Sequence, residues 1–239
     1  MKPLACVRFQ ASAPLGVIQD VLAESEVEWH YLDMWEQQSI PHASELCGLV
    51  VLGGEMNADA VEPYPFLTTA RDLVRDAVTS ELPVLAICLG AQLLSRSQGG
   101  AVRRAPHREL GFLPVKATAE GMDDHVLEPF SPAARVFQFH EDECQLPEGA
   151  QLLFEGADVR VQAFRVGPCA YGVQFHFEVT DEEIEAWCDE TPDLEASWGA
   201  NKQDVMEQAG EHLADQQAAG REVARRFVSL IRKNARSFE

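Results

Sequence analysis

The stretch Val84-Leu85-Ala86-Ile87-Cys88-Leu89-Gly90-Ala91-Gln92 limits this chain more than any other. A short apolar run halts at a cysteine, and the helix-compatible run Ala91-Gln92-Leu93-Leu94-Ser95-Arg96 begins almost at once. Strand, sharp turn and helix with a reactive side chain at the apex is the pattern of a nucleophile elbow, here built on a thiol. Such a turn presses backbone segments together, so the positions two residues either side must be small, and they are Ala86 and Gly90. It also lifts the thiol onto a helix N-terminus, whose partial positive charge favours thiolate.

The elbow sits within an alternation of strands and helices. Leu4 to Phe9, Val27 to Leu32, Leu46 to Leu52 and Val84 to Ile87 read as strands, separated by helices over Leu15 to Ala23 and Phe66 to Val78. That order predicts an α/β fold: a mostly parallel central sheet of the flavodoxin-like kind with helices on both faces. Past Gly99-Gly100, short β-like pieces (111–115, 135–139, 161–165 and 170–175) suggest a small antiparallel addition before the chain rejoins the main sheet. From Asp181 the pattern is helical, and Val223, Phe227, Leu230 and Ile231 form the apolar stripe of a last helix. The expected organisation is one domain over residues 1–190 and a C-terminal helical extension over 191–239 packed on it. The extension is expected either to cover the sheet or to supply a homodimer contact.

Composition narrows the function classes. A formal charge of −20 opposes general binding to nucleic acid or to an anionic membrane surface. No run is long and apolar enough for a transmembrane helix, and the N-terminus reads as a first strand, not a signal peptide. Six scattered cysteines without a Cys-x-x-Cys pair point to a reduced, cytoplasmic setting and give no zinc spacing. The acidic run from Asp181 to Glu195 reads as a solvated helix face.

A cysteine nucleophile needs a base. His176 ends the apolar run Tyr171 to Phe175, at a strand's carboxyl end like Cys88, and Glu178 follows two residues later to accept a hydrogen bond from the imidazole. The N–H of Leu89 and the turn Gly53-Gly54 are candidate donors for an oxyanion, glycine permitting close approach of backbone to substrate. His140, within Phe139-His140-Glu141-Asp142, has carboxylate neighbours, but no second histidine or cysteine stands at ligand spacing. It reads as part of a loop lining the substrate pocket, and neither a metal nor another cofactor is expected.

Together, Gly53-Gly54, Ala86-Ile87-Cys88-Leu89-Gly90-Ala91-Gln92 and Gly172-Val173-Gln174-Phe175-His176-Phe177-Glu178 resemble the class I glutamine amidotransferases, with the stand-alone, GMP-synthase-like members nearest. The resemblance runs over roughly residues 45 to 180. It implies that Cys88 attacks the glutamine side-chain amide to form a γ-glutamyl thioester, that His176 shuttles protons and that Glu178 orients His176. It further implies an oxyanion hole from the N–H groups of Gly54 and Leu89. Substrate contacts would come from Gly53, from Gln92 and from the backbone around Glu141 and Asp142. Two departures stand out: Phe177 occupies a position that is commonly proline, and Glu55-Met56-Asn57 follows the glycine pair.

Several functions fit these residues. One is a glutaminase that passes ammonia to a synthase subunit in trans. Another is a free-standing hydrolase of γ-glutamyl amines or peptides. A non-catalytic regulatory module and an α/β-hydrolase-type cysteine enzyme are further alternatives. In the last, the acid would come from a separate loop instead of from Glu178.

Overall fold

In the computed structural model, residues 2–36 and 38–236 are described. Nine strands form one continuous sheet: β1 (Leu4–Arg8), β2 (Trp29–Asp33), β3 (Gly48–Val51), β4 (Val84–Ile87), β5 (Val102–Ala117), β6 (Ala133–Cys144), β7 (Gln151–Glu155), β8 (Ala163–Val166) and β9 (Ala170–Val173). Their order is β2-β1-β3-β4-β9-β8-β7-β5-β6. From β2 to β9 every neighbouring pair is parallel, and from β9 to β6 every pair is antiparallel.

The expected fold class holds, with one change of proportion. The sheet is mixed, and its antiparallel half is as extensive as its parallel half. The pieces at 111–115 and 135–139 belong to a long hairpin, β5–β6, whose register slips between Arg104 and Glu109. Proline and charged residues inside these strands disguise their length. Strand β7 carries no clear alternation and is not legible in the sequence.

Helices cover both faces. The sequence alternates side chains across the parallel strands, so Leu4, Cys6, Val50 and Leu85 point one way while Ala5, Val7, Val51 and Ala86 point the other. The first face is covered by α1 (Val17–Glu24) and by α7 (Lys202–Arg236), through Ile18, Leu22, Val223, Phe227 and Ile231. The second is covered by α2 (Phe66–Thr79) and α3 (Leu89–Ser97). The single turn α4 (Ala119–Met122) caps β7. Helices α5 (Asp181–Glu190) and α6 (Leu194–Trp198) join α7 in a third apolar cluster over Phe112 and Phe137 of the long hairpin. Burying a stripe of this kind is what holds such helices in place, since propensity alone would leave the short ones frayed.

At 35 residues, α7 runs for roughly 50 Å. Helix α7 covers the first face of the sheet, one of the two roles open to the C-terminal residues. Among the described residues, no helix is long and apolar enough to cross a membrane.

Candidate active site

Strand β4 lies between β3 and β9, so three chain segments leave the sheet side by side at its carboxyl edge. Neighbouring strands sit about 4.8 Å apart. The segments that continue from these three strands are therefore within contact range of one another. They are Gly53-Gly54 after β3, Cys88 after β4 and residues 174–178 after β9.

Cys88 adopts φ 51° and ψ −110°, a left-handed conformation that a non-glycine residue holds only under constraint from its surroundings. The constraints are visible. Its N–H donates to the Val173 carbonyl at 2.8 Å, and its own carbonyl accepts from Gln92 N–H at 3.0 Å as α3 begins. Gly90 has no room for a side chain, because a Cβ there would collide with the Val51 carbonyl. The turn thus holds the thiol over the first turn of α3, where Leu89 contributes one of the N–H groups that lack an intrahelical acceptor.

His176 is 4% exposed, and its Nδ1 lies 2.8 Å from Oε1 of Glu178, itself 2% exposed. The Cys88 side chain lies close enough to the imidazole to act on its charge, and both crowd against Gly53. Burial opposes a charge on this ring, but Glu178 and Cys88 outweigh it and raise the imidazolium from 6.5 to about 10. The ring is packed edge-on against Trp187 at 4.9 Å between centroids. Phe177 is fully buried in contact with Phe130, so packing steadies the stretch between His176 and Glu178.

Gly53 faces the pair closely: a Cβ there would sit 2.7 Å from His176 Cε1 and 3.4 Å from the Cys88 Cβ. A Cβ on Gly54 would meet the Leu89 side chain at 2.9 Å, so the two candidate oxyanion donors are neighbours. The loop that carries the glycines is tied at two points. Glu55 N–H donates to Gln10 Oε1 at 2.9 Å, and Asn57 Nδ2 donates to Asp142 Oδ2 at 2.6 Å. The Glu55 side chain is exposed at the rim while its backbone is held.

A cavity of about 280 Å³ opens over Cys88 and His176, lined also by Gly53, Gly54, Gln92, His140, Glu141 and Asp142. Every site residue expected from the sequence is thus at one place, except that Leu89 and Glu178 lie just behind its surface. Glu141 and Asp142 belong to strand β6, not to a loop, and this corrects the expectation for that segment. The reason is the irregularity opposite them in β5, which lets the hairpin bend across the site while still pairing Arg104 with Asp142 and Glu109 with His140.

Behind the cavity, buried polar groups satisfy one another. His140 Nε2 meets Glu109 Oε2 at 2.8 Å, and its Nδ1 meets the Asp142 carbonyl at 3.1 Å. The same carbonyl accepts from Gln92 Nε2 at 3.3 Å. Gln174 accepts from Gln92 at 3.4 Å and turns its own amide towards Cys88 Sγ at 3.7 Å. His140 is therefore engaged in a protein network that fixes the Asp142 backbone. On the outer side, Glu141 pairs with Arg104 and, at 2.8 Å, with Arg108, which lies over the Trp198 ring.

Sequence reading missed five contributors. Gln174 falls inside a stretch singled out for other residues, and Glu109 lies just before the β-like piece at 111–115. Trp187 lines the cavity and donates to the Ser12 carbonyl at 2.6 Å, while Glu190 reaches the cavity from the acidic run read as a solvated face. Gln216 interrupts the apolar stripe of α7, a signal that was available in the spacing Leu213, Gln216, Gly220, Val223.

The chain matches the sequence model of the family described as glutamine amidotransferase class-I over residues 16–186. It is 32% identical over 148 residues to the glutamine amidotransferase-like protein YfeJ of Salmonella typhimurium, a match covering 61% of this chain and 62% of that one. It is 39% identical over 105 residues to a glutamine-hydrolyzing GMP synthase subunit of Saccharolobus solfataricus, covering 43% of this chain and 54% of the relative. The chain thus spans less than two thirds of the length of either of these curated relatives. Among solved structures, a glutamine amidotransferase from Thermotoga maritima superposes with a TM-score of 0.85 at 29% identity, covering 95% of this chain and 98% of that one.

Proposed function

Because the chain belongs to the class I glutamine amidotransferase family, we propose that it hydrolyses a γ-glutamyl amide, glutamine first among them, with Cys88 as nucleophile. The observation that carries this reading is the grouping of Cys88, His176 and Glu178 at the carboxyl edge of the sheet, with His176 Nδ1 2.8 Å from Glu178 and Cys88 and His176 facing Gly53-Gly54 inside a cavity. The buried imidazolium supports a thiolate beside it.

In the first half-reaction the Cys88 thiolate adds to the side-chain amide carbon. The negative charge that builds on the amide oxygen is met by the N–H groups of Gly54 and Leu89. His176 Nε2 then gives its proton to the amide nitrogen, the C–N bond breaks and ammonia leaves behind a γ-glutamyl thioester. In the second half, His176 takes a proton from water, the hydroxide adds to the thioester carbon, and the C–S bond breaks to restore the thiolate and release glutamate. Glu178 keeps Nδ1 protonated, so that Nε2 always faces the sulfur. Gly53, Gln92 and the backbone at Glu141 and Asp142 seat the α-amino and carboxylate end of the substrate. In this reading residues 1–190 carry the chemistry and 191–239 brace it.

Two destinations for the released nitrogen are open to such a site. Relatives named as glutamine-hydrolyzing subunits of GMP synthase support ammonia transfer to a synthase partner in trans. The walling of the cavity by Trp187, Thr191, Pro192 and Trp198 of the chain itself supports a self-contained hydrolase whose leaving group is larger than ammonia.

One experiment separates them. Purified protein and its Cys88→Ala variant are assayed on glutamine and on a panel of γ-glutamyl amides. Turnover of glutamine that rises when a synthase partner is added supports the first destination, and preference for a substituted amide supports the second. Turnover undiminished in Cys88→Ala overturns the mechanism.

A further inference from the structure

The segment 174–179 follows β9 without forming a regular element, so its backbone groups have no ladder to satisfy them. Tracing their partners leads to the C-terminal helix. His176 N–H donates to the Phe137 carbonyl at 2.8 Å, and Phe137 N–H donates to Gln216 Oε1 at 2.6 Å. Gln216 Nε2 donates in turn to the His176 carbonyl at 3.1 Å. These three bonds close a ring through β6, α7 and the histidine's own backbone. One residue on, Gln217 Nε2 donates to the Val179 carbonyl at 3.0 Å. One turn on, Gly220 lets the helix lie against the Phe177 carbonyl, which a Cβ would approach to 2.7 Å.

Gln216 is 2% exposed and sits in the stripe that otherwise holds Leu213, Val223 and Phe227. A buried primary amide among apolar neighbours is costly unless both of its ends are bonded, and here both ends are bonded to main chain. An aliphatic side chain would fill the same space but would release the Phe137 N–H and the His176 carbonyl. Glu178 fixes the imidazole about its ring and Trp187 supports one edge. Neither sets where the His176 backbone stands relative to the elbow. Gln216, Gln217 and Gly220 all lie beyond residues 16–186, the part of the chain that matches the family.

We propose that Gln216 is a positioning residue: acting from the C-terminal helix, it holds the His176 backbone so that the imidazole stays in register with Cys88. The proposal rests on the reading of Cys88 and His176 as a reactive pair, and it does not depend on which amide is the substrate. Acting through His176, Gln216 touches no reacting atom, so its loss alters proton transfer and thiolate formation more than substrate affinity.

The test uses the full chain and three proteins: wild type, Gln216→Met and, as a packing control on the same helix, Val223→Ala. The rate of Cys88 carbamidomethylation by iodoacetamide is followed by peptide mass across a pH series. In parallel, kcat and KM on glutamine and the thermal midpoint are measured. Gln216→Met is expected to slow labelling at neutral pH by about tenfold or more and to displace its pH dependence upwards, since a misplaced imidazolium no longer favours the thiolate. The same variant should lose kcat by a comparable factor with KM within about threefold. Val223→Ala should lower the thermal midpoint and leave the labelling profile unchanged.

A wild-type labelling profile in Gln216→Met overturns the proposal. So does a displaced profile in Val223→Ala at an equal loss of thermal stability. If Gln216→Met fails to fold, Gln216→Glu replaces it. That variant keeps an acceptor for the Phe137 N–H but sets an oxygen against the His176 carbonyl, and the same displacement is expected. Should the wild type not turn over glutamine, the reading of the substrate fails while the labelling profiles still decide the role of Gln216.

Discussion

Replacing Glu178 with glutamine is the sharpest probe of the electrostatics at this site, because it alters one charge and almost no volume. The rise of the His176 imidazolium from 6.5 to about 10 is a preference for the charged ring on the order of 5 kcal/mol. Burial works against that preference, so it is maintained by the Glu178 carboxylate 2.8 Å from Nδ1 together with the sulfur of Cys88. With glutamine in place the ring faces a neutral amide, burial gains the upper hand, and the titration should move from near 10 towards neutrality. Nδ1 also loses the acceptor that fixes the tautomer, so kcat should fall on the order of 10²- to 10⁴-fold, the range associated with a positioned acid–base group.

Stability gives an independent readout. For a histidine whose folded value is raised, the contribution to folding is complete below about 6.5 and disappears as pH climbs through about 10. The wild type should therefore lose stability between roughly pH 7 and 10 through this group, and Glu178→Gln should flatten that part of the profile. The assay pairs kcat against pH with thermal midpoints across the same range. A variant that keeps kcat within about threefold, or whose alkaline limb still lies near 10, refutes the reasoning.

Two further outcomes follow from the geometry. Gly90→Ala pushes a methyl group into the Val51 carbonyl, a backbone atom that cannot swing aside. It should destabilise the fold by about 2 kcal/mol in chemical denaturation and lower the labelling rate of Cys88, and a neutral effect on both would contradict the account of the elbow. Glu109→Gln removes the buried partner of His140 and so loosens the Asp142 carbonyl. It should cost about 1–3 kcal/mol of stability and raise KM several-fold with kcat largely kept, and a pure kcat effect would count against a substrate-seating role for β6.

The elements that were legible in the sequence are those with a short-range signature. Val84 to Ile87 was read to the residue, and the helix at Phe66 was placed within one, because an uninterrupted apolar run and a 3.6-residue stripe are local patterns. The long hairpin was seen only as fragments. Its partners lie up to 42 positions apart, and residues such as Pro114 and Arg104 blur the alternation. His140 was read on a loop for the same reason, since only the pairing with Glu109 shows that it stands on a strand.

By itself the sequence determined that a thiol would stand at a strand-to-helix turn. Ala86, Gly90 and the apolar run before Cys88 allow little else, and steric exclusion acts between residues close in the chain. It also carried the candidate base and acid as His176 and Glu178, two residues apart. Only the tertiary structure decided that β9 would lie beside β4 and so bring His176 against a cysteine 88 positions away. It alone decided that Gln216 would reach the His176 carbonyl from a helix on the sheet's first face. Strand neighbours are chosen by the burial of whole faces, and side-chain bonds to distant main chain leave no periodic trace in the sequence. Such partners become visible only once the fold has closed around them.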